Sequence, residues 1–470
     1  MAIIISQTTL SETLGAKLRR LARTAALTNP LTTTPWTVDA AWTASTAYIQ
    51  GQVVANGGSL YIALNSGTSA ASGGPSGASS GGVITDNTMQ WSYLGGPQST
   101  ANDAQAPVVT TATATFAPAG LANYLNPQTL PGCYRVYGGY AVNYSTNYWR
   151  LYAFNAASGT PFARGVSIGF ETDAPKFAIG TSAPSSIFRI IIDGRYYSYS
   201  TIVGASGTPN WIVFDFGSTT QRKTRSIVVE YANSPTDPPS FAGVAVSAND
   251  MVFAPAPCDD VRAIFISDSI LAGSSYGPFL PGGTVPQQVG KLLGWSDPWS
   301  MSVGGSGYVN TGGGNYNFLQ RIADVGNLAT ITSADIVILM GSINDIGQSG
   351  VASAVTAALK TVRSANAKAP IVVAGLWSIN NPGLSAAEAA VQAGVAAFDD
   401  PVARTFFIPL AGASPLPVIT GSWNNAADTS STNSTMYVSG DGTHPPDIGS
   451  AYLSQWLARA IRSNVLPLLA

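Results

Sequence analysis

Arg262-Ala263-Ile264-Phe265-Ile266-Ser267-Asp268-Ser269-Ile270 is the stretch that decides the fold. Four consecutive apolar residues, Ala263 to Ile266, break off abruptly into Ser-Asp-Ser, as a strand buried on both faces does where it leaves the core. Ile336–Met340, Ile371–Gly375 and Phe406–Pro409 repeat the short buried pattern. Helical periodicity fills 284–293, 351–367, 384–398 and 447–462. Strands alternating with helices predict a parallel sheet covered on both faces, a three-layer α/β domain over residues 256–470. Functional groups of such sheets gather at the carboxyl ends of strands, and Ser269 stands just past one.

A serine hydroxyl becomes a nucleophile only when a base takes its proton. The chain contains one histidine, His444, in Asp441-Gly442-Thr443-His444-Pro445, so a single imidazole is available and Asp441 can orient it. A developing oxyanion needs donors. A glycine of Gly304-Gly305-Ser306-Gly307 and the side-chain amide of Asn344 are the candidates. Asp345 reads as a brace for its loop, not as half of a glycosidase carboxylate pair. Taken singly, these residues have plainer uses: Ser269 as a helix cap, Asn344 in a turn, the glycines in a bend. Together and in this order they point to acyl transfer.

Asp268-Ser269, Gly307, Asn344-Asp345 and Asp441-Gly442-Thr443-His444 resemble, in order, the four blocks of the SGNH, or GDSL-like, hydrolases. The resemblance covers roughly 260–465 and implies Ser269, His444 and Asp441 as catalytic residues. It also implies an oxyanion hole of Ser269, Gly307 and Asn344, and an ester hydrolase that needs no metal or organic cofactor. Ser267 stands where the family has its first glycine. Ser342 occupies the usual third-block glycine position, with Gly341 one residue early.

Composition narrows the setting. Of 470 residues, 45% are hydrophobic and only 10% charged, and the net charge of −2 leaves no broad basic surface for nucleic acid. Cys133 and Cys258 allow at most one bridge, and two cysteines with one histidine make no Cys/His metal cluster. No stretch reaches the length of a membrane helix, and the first residues lack the basic region of a signal peptide.

N-terminal to the hydrolase-like part, three further units are expected. Residues 1–35 hold an amphipathic helix over 7–28, striped with Leu10, Leu14, Leu18 and Leu21, which packs either on another chain or on its own domain. Residues 36–97 form a small aromatic β module whose Asn56-Gly57-Gly58 marks a hairpin, with a loop over 66–82. Residues 98–255 read as a jelly-roll-like β-sandwich, with strands at Tyr134–Tyr140, Val166–Thr172, Phe188–Asp193, Trp211–Phe216 and Ser226–Tyr231. The aromatic module resembles small chitin-type carbohydrate-binding modules and their counterparts in phage tail proteins. That resemblance implies sugar contacts through Trp42, Tyr61 and Trp91, although the same rings would also serve as the module's own core.

These expectations combine into an esterase that removes O-acetyl groups from a polysaccharide. Its setting would be a phage tail spike or fibre, or the extracellular space without a classical signal peptide. Such a spike implies a homotrimer attached through the N-terminal segment, with neither nucleic acid nor membrane as partner. The rival readings are a general esterase, lipase or thioesterase, and a glycan-binding adhesin without activity.

Overall fold

The structure is a computed structural model that describes residues 13–25, 34–77, 82–96, 101–145, 147–158, 160–181, 187–203, 210–217, 222–232, 238–255, 260–341, 343–377, 383–413, 417–421, 428–429 and 431–469. In the C-terminal domain, β1 (Arg262–Ser267), β2 (Asp297–Ser302), β3 (Ile336–Met340), β4 (Ile371–Ala374) and β5 (Thr405–Ile408) make one sheet, ordered β2-β1-β3-β4-β5. All four pairings are parallel. β2 is the strand that apolar-run reading passes over, because Asp297-Pro298-Trp299-Ser300-Met301-Ser302 alternates with serine. All six of its residues are nevertheless buried, and Ser300 and Ser302 satisfy one another across 3.2 Å.

Alternate residues of each strand enter different cores. Ala263, Phe265, Ile336 and Ile338 pack with Val289 and Leu292 of helix Val285–Leu293 and with Leu453 and Leu457 of helix Asp447–Ala460. Ile264, Ile266, Val337 and Leu339 pack with Val355, Leu359 and Val362 of helix Val351–Ala365 and with Val391 of helix Leu384–Ala396. The sheet is therefore the middle of three layers.

The N-terminal helix spans Leu14–Thr24, capped by the Thr13 hydroxyl; residues 7–12 and 26–28 of the expected helix lie outside the described residues. Leu18 and Ala22 are buried in the hydrolase-side core with Leu292, Leu293, Leu466 and Leu469. The buried residues of this helix thus pack on the chain's own C-terminal domain, the second of the two expected packings; Leu10 lies outside the described residues.

In the aromatic module, Val53–Asn56 and Ser59–Ala63 pair across a turn in which Gly57 and Gly58 have φ of 57° and 81°, the left-handed values a two-residue hairpin needs. With Met89–Gly95 and Ile84–Asp86 they form a four-stranded sheet. The 66–82 segment is not all loop, since Gly67–Thr68 pairs with Ala47–Tyr48. Trp91 is fully buried and Tyr61 is 2% exposed. The indoles of Trp42 and Trp91 both donate to Asp86 Oδ2, at 2.8 and 3.0 Å. The expectation that Tyr61 and Trp91 touch sugar is thereby corrected: a module this small spends its rings on its own core. Trp42 remains half-buried, its ring nitrogen committed.

Among the described residues, 108–253 build two large antiparallel sheets and two small ones, the small ones being Tyr140–Ser145 with Tyr148–Tyr152 and Ser240–Phe241, and Phe154–Ala157 with Thr160–Phe162. One large sheet runs Val108–Thr113, Asn210–Asp215, Lys176–Thr181, Val244–Val246 and Asn123–Leu125; the other is centred on Ile187–Ile192, Arg225–Tyr231 and Ser167–Thr172. Phe170, Phe177, Phe188, Phe214 and Ile227 fill the space between them. Asp193 and Gly194, with φ of 51° and 80°, make the expected hairpin turn.

The sandwich is fastened to the hydrolase side by hydrogen bonds. Asn155 N–H donates to Asn327 Oδ1 and Asn327 Nδ2 to the Asn155 carbonyl, both at 2.8 Å. Gly138 N–H donates to Asp297 at 2.6 Å. Of the two cysteines, Cys133 is a free thiol that burial pushes up, and Cys258 lies outside the described residues.

Asp39 joins module to sandwich, accepting from Ser200 N–H at 2.8 Å and Ser198 Oγ at 2.9 Å. Burial raises its carboxyl to about 6, against the lowering effect of Ser200, Ser198, Tyr199 and Arg189. A folded value above the unfolded one contributes stability in acid that is lost as pH rises from the ordinary value of 3.8 through about 6. Asp39→Asn keeps the acceptor and removes the ionisation. It should stabilise the chain by on the order of 2–3 kcal/mol at about pH 7.5 and by almost nothing at about pH 3.5, read from melting temperatures at both. Equal shifts at the two pH values would refute the assignment.

Candidate active site

β1 ends at Ser267, and Asp268 caps the one-turn helix Ser269–Ala272 by accepting from Ile270 N–H at 2.9 Å. This places Ser269 at the first helical position, beyond the carboxyl edge of the sheet. The loop carrying His444 approaches from the opposite end of the chain. Its turn uses Gly442 at φ +71° and closes through Gly442 N–H to the Ser439 carbonyl and Ser439 N–H to the His444 carbonyl.

His444 Nε2 lies 2.8 Å from Ser269 Oγ, and Nδ1 lies 2.5 Å from Asp441 Oδ2. An ionised carboxylate only accepts, so Nδ1 carries the proton and Nε2 is left basic toward the serine. Asp441 Oδ1 accepts three more bonds, from Ser439 Oγ at 2.7 Å and from the backbone N–H groups of Thr443 and His444 at 3.0 Å. Burial works against ionisation of Asp441. The bonds from His444, Ser439 and Thr443 outweigh it and hold the carboxyl far below the usual range. The side chains of Asp441 and His444 are each 20% exposed, so the relay faces solvent at one side.

The oxyanion donors are less as expected. Gly307 N–H donates to the Asn310 carbonyl at 2.8 Å and is not free to stabilise an oxyanion. Glycine is required there for packing, because a Cβ would come within 2.4 Å of the Asp345 carboxylate. Gly305 is the loop's remaining candidate donor of the two. Its φ is +75°, its N–H has no acceptor among the described residues, and its neighbour Gly304 lies against Ser269, with a Cβ there only 3.7 Å from Ser269 Cβ. Ser269 N–H, in the first turn of its helix, is likewise unpaired among the described residues. Asn344 sits on the 3-10 turn Ile343–Asp345 and gives one amide hydrogen to the Ser306 carbonyl at 2.9 Å, which leaves the other to donate.

Asp345 is a brace. Its buried carboxylate accepts from Tyr308 N–H at 2.7 Å and Asn310 N–H at 2.8 Å, with Val309 N–H at 3.3 Å. Gly341 has φ +113°, and a Cβ on it would meet Asp268 at 2.5 Å. Ser342 lies outside the described residues. Ser267 fits as the last residue of β1, fully buried.

Three residues support the site in ways that the sequence did not show, Asp447 having been expected only to cap its helix. Arg321, fully buried, donates to the Ser267 and Met301 carbonyls at 2.9 Å and, from its other nitrogen, to Ser306 Oγ at 2.7 Å. It thus ties the nucleophile strand to the loop of Gly305. Burial pulls its guanidinium down to about 9, opposed by the charge of Asp268. Arg164, from the sandwich, donates to the Ala272 carbonyl at 2.9 Å and so caps the helix that begins at Ser269. Asp447, buried at the start of its helix, accepts from Phe279 and Leu280 N–H at 3.1 and 3.0 Å. It thereby holds the loop of Tyr276, whose ring lies parallel to His444 at 6.4 Å and is 37% exposed. Lone arginines and an aspartate in helical or loop sequence carry no pattern that announces such roles.

A serine, a base, an orienting carboxylate and unpaired N–H groups in this geometry fit the blocks of a known family. Residues 268–452 match the GDSL-like Lipase/Acylhydrolase family. This is a GDSL-like SGNH hydrolase domain. No curated protein matches the chain. Among solved structures, an active-site mutant of a family two carbohydrate esterase from Clostridium thermocellum is similar at 14% identity and TM-score 0.52, over 70% of this chain and 98% of that one. The salicylyl-acyltransferase SsfX3 from a tetracycline biosynthetic pathway is similar at 12% identity and TM-score 0.52, over 78% and 99%. At these identities the likeness is one of fold. It extends beyond the GDSL-like domain, which is under half of the chain.

Among the described residues, no group of three or more His, Cys, Asp or Glu side chains comes together.

Proposed function

We propose that the chain is a serine carboxylic-ester hydrolase that removes O-acetyl groups from a polysaccharide. The observation that carries this reading is the Ser269–His444–Asp441 relay, with distances of 2.8 and 2.5 Å and one side open to solvent. His444 Nε2 takes the Ser269 proton as Oγ attacks the acetyl carbonyl. Ser269 N–H, Gly305 N–H and the free hydrogen of Asn344 receive the oxyanion. The intermediate collapses with the His444 proton passing to the departing sugar oxygen, and the acetyl group stays on Ser269. Water, deprotonated by the same imidazole, then releases acetate and restores the serine.

An open relay suits a bulky polymer. A long acyl chain would need an apolar channel beside the serine. The exposed ring of Tyr276 next to His444 offers a sugar a stacking surface. A binding-only role leaves the relay without a use. The proposed setting is a phage tail spike or another extracellular particle, with attachment through the N-terminal segment.

The test is acetate release from O-acetylated xylan and O-acetylated bacterial capsule, with p-nitrophenyl acetate and p-nitrophenyl palmitate beside them. Acetate from a polysaccharide is the expected result. Hydrolysis confined to the palmitate ester would overturn the glycan reading and favour a lipase.

A further inference from the structure

Two of the three rings that the sequence offered to sugar are buried, yet the chain does display a row of tyrosines elsewhere. Strands Tyr140–Ser145 and Tyr148–Tyr152 of the sandwich region form a hairpin. Register decides its two faces. Ala141 opposes Leu151 and Asn143 opposes Trp149 on the inner side, where Leu151 and Trp149 are buried. Tyr140 opposes Tyr152 and Val142 opposes Arg150 on the outer side, joined by Tyr144 and Tyr148 around a bulge. Tyr140, Val142 and Tyr144 are 39, 42 and 59% exposed.

The outer rings are ordered. Tyr140 and Tyr152 lie 6.0 Å apart at 31°, Tyr144 and Tyr148 5.7 Å apart at 38°. The Arg150 guanidinium sits 4.3 Å from the Tyr144 ring centre and donates to the Pro238 carbonyl, which fixes that ring from behind. The two pairs are four residues apart along the strand, a span of about 13 Å.

We propose that this face is a non-catalytic binding site for a neutral oligosaccharide, separate from Ser269. Ring faces carry partial negative charge that matches the C–H-rich faces of pyranose rings, and the phenol hydroxyls at the rim can bond sugar hydroxyls. Among the described residues of the two strands Arg150 is the one charged side chain, and it is already engaged, so a polyanion finds no set of cations on them. A second protein is also a poor fit. Two strands of this length offer about 200 Å², against about 800 Å² per partner in a stable complex. A short run of sugar rings needs no more than that. Tyrosine suits the task because it presents a large amphipathic surface at low entropy cost.

The inference does not depend on the esterase reading, because binding is measured in the full chain with Ser269→Ala. Titration calorimetry with cellohexaose, xylohexaose and chitohexaose should show binding of at least one. Tyr144→Ala with Tyr152→Ala should weaken it about tenfold or more, and Phe at both positions should largely restore it. Tyr144→Ser alone, at the most exposed ring, guards against a folding defect in the pair and should weaken binding in the same direction. Unchanged affinity in these variants, no binding of any probe by the parent, or loss of binding through Tyr276→Ala alone would each overturn the proposal. So would a parent dimer in sedimentation that the double variant dissolves, which would make the face a self-association surface. Turnover of p-nitrophenyl acetate by the chain with Ser269 intact is scored separately, so failure of the esterase reading is told apart from failure of this one.

Discussion

Ser269→Ala is expected to lower turnover of p-nitrophenyl acetate by roughly 10⁴- to 10⁶-fold while the melting temperature stays where it was. The two halves of that expectation have separate physical grounds. The serine hydroxyl makes one side-chain contact, with His444 Nε2 at 2.8 Å, so its loss leaves no buried group unpaired and costs little stability. Chemistry loses the atom that accepts the acyl group. His444→Ala should be equally severe, because the chain has no second imidazole. Asp441→Asn should retain partial activity. The Oδ1 contacts with Ser439, Thr443 and the His444 backbone survive, but the group facing Nδ1 becomes an amide donor, so both the charge and the acceptor that fix the Nδ1 proton are lost. Full activity of His444→Ala would overturn the mechanism, and a melting temperature that collapses with Ser269→Ala would recast the serine as structural.

Much of this site was legible because the chemistry narrows the choices. One histidine among 470 residues admits one imidazole base, and a buried strand ending in Ser-Asp-Ser puts a hydroxyl at a sheet edge. Four of the five parallel strands follow from apolar runs; β2 does not, because its serines satisfy each other inside the core. Which glycine donates was not legible. Gly305 and Gly307 are alike in sequence, and only the hydrogen bond from Gly307 to Asn310 separates them. Arg321 and Arg164 are invisible for another reason: their partners are backbone carbonyls, and a carbonyl leaves no mark in a sequence. The aromatic module misled in an instructive way. Trp91 and Tyr61 recur at a spacing that suits either a sugar platform or a core, and burial alone chooses the core.

Asn344→Ala is the second large effect, an expected loss of about 100- to 1,000-fold in kcat with little change in KM. A donor to the oxyanion works mainly in the transition state, where the carbonyl oxygen carries charge, so ground-state binding should barely register its removal. The residue is better suited to this test than the glycines. Alanine at Gly307 would drive a methyl into Asp345 and disturb the loop whatever the donors do, whereas Asn344 is half-buried and its side chain gives one bond, to the Ser306 carbonyl. Losing that bond costs roughly 1 kcal/mol of stability, far too little to account for a 100-fold fall in kcat through unfolding. Asn344→Asp sharpens the comparison: it preserves shape but turns a donor into an anion facing the developing charge, and should be at least as inactive as alanine. A KM that rises while kcat holds would instead place Asn344 in substrate binding, leaving the oxyanion to the backbone N–H groups of Ser269 and Gly305.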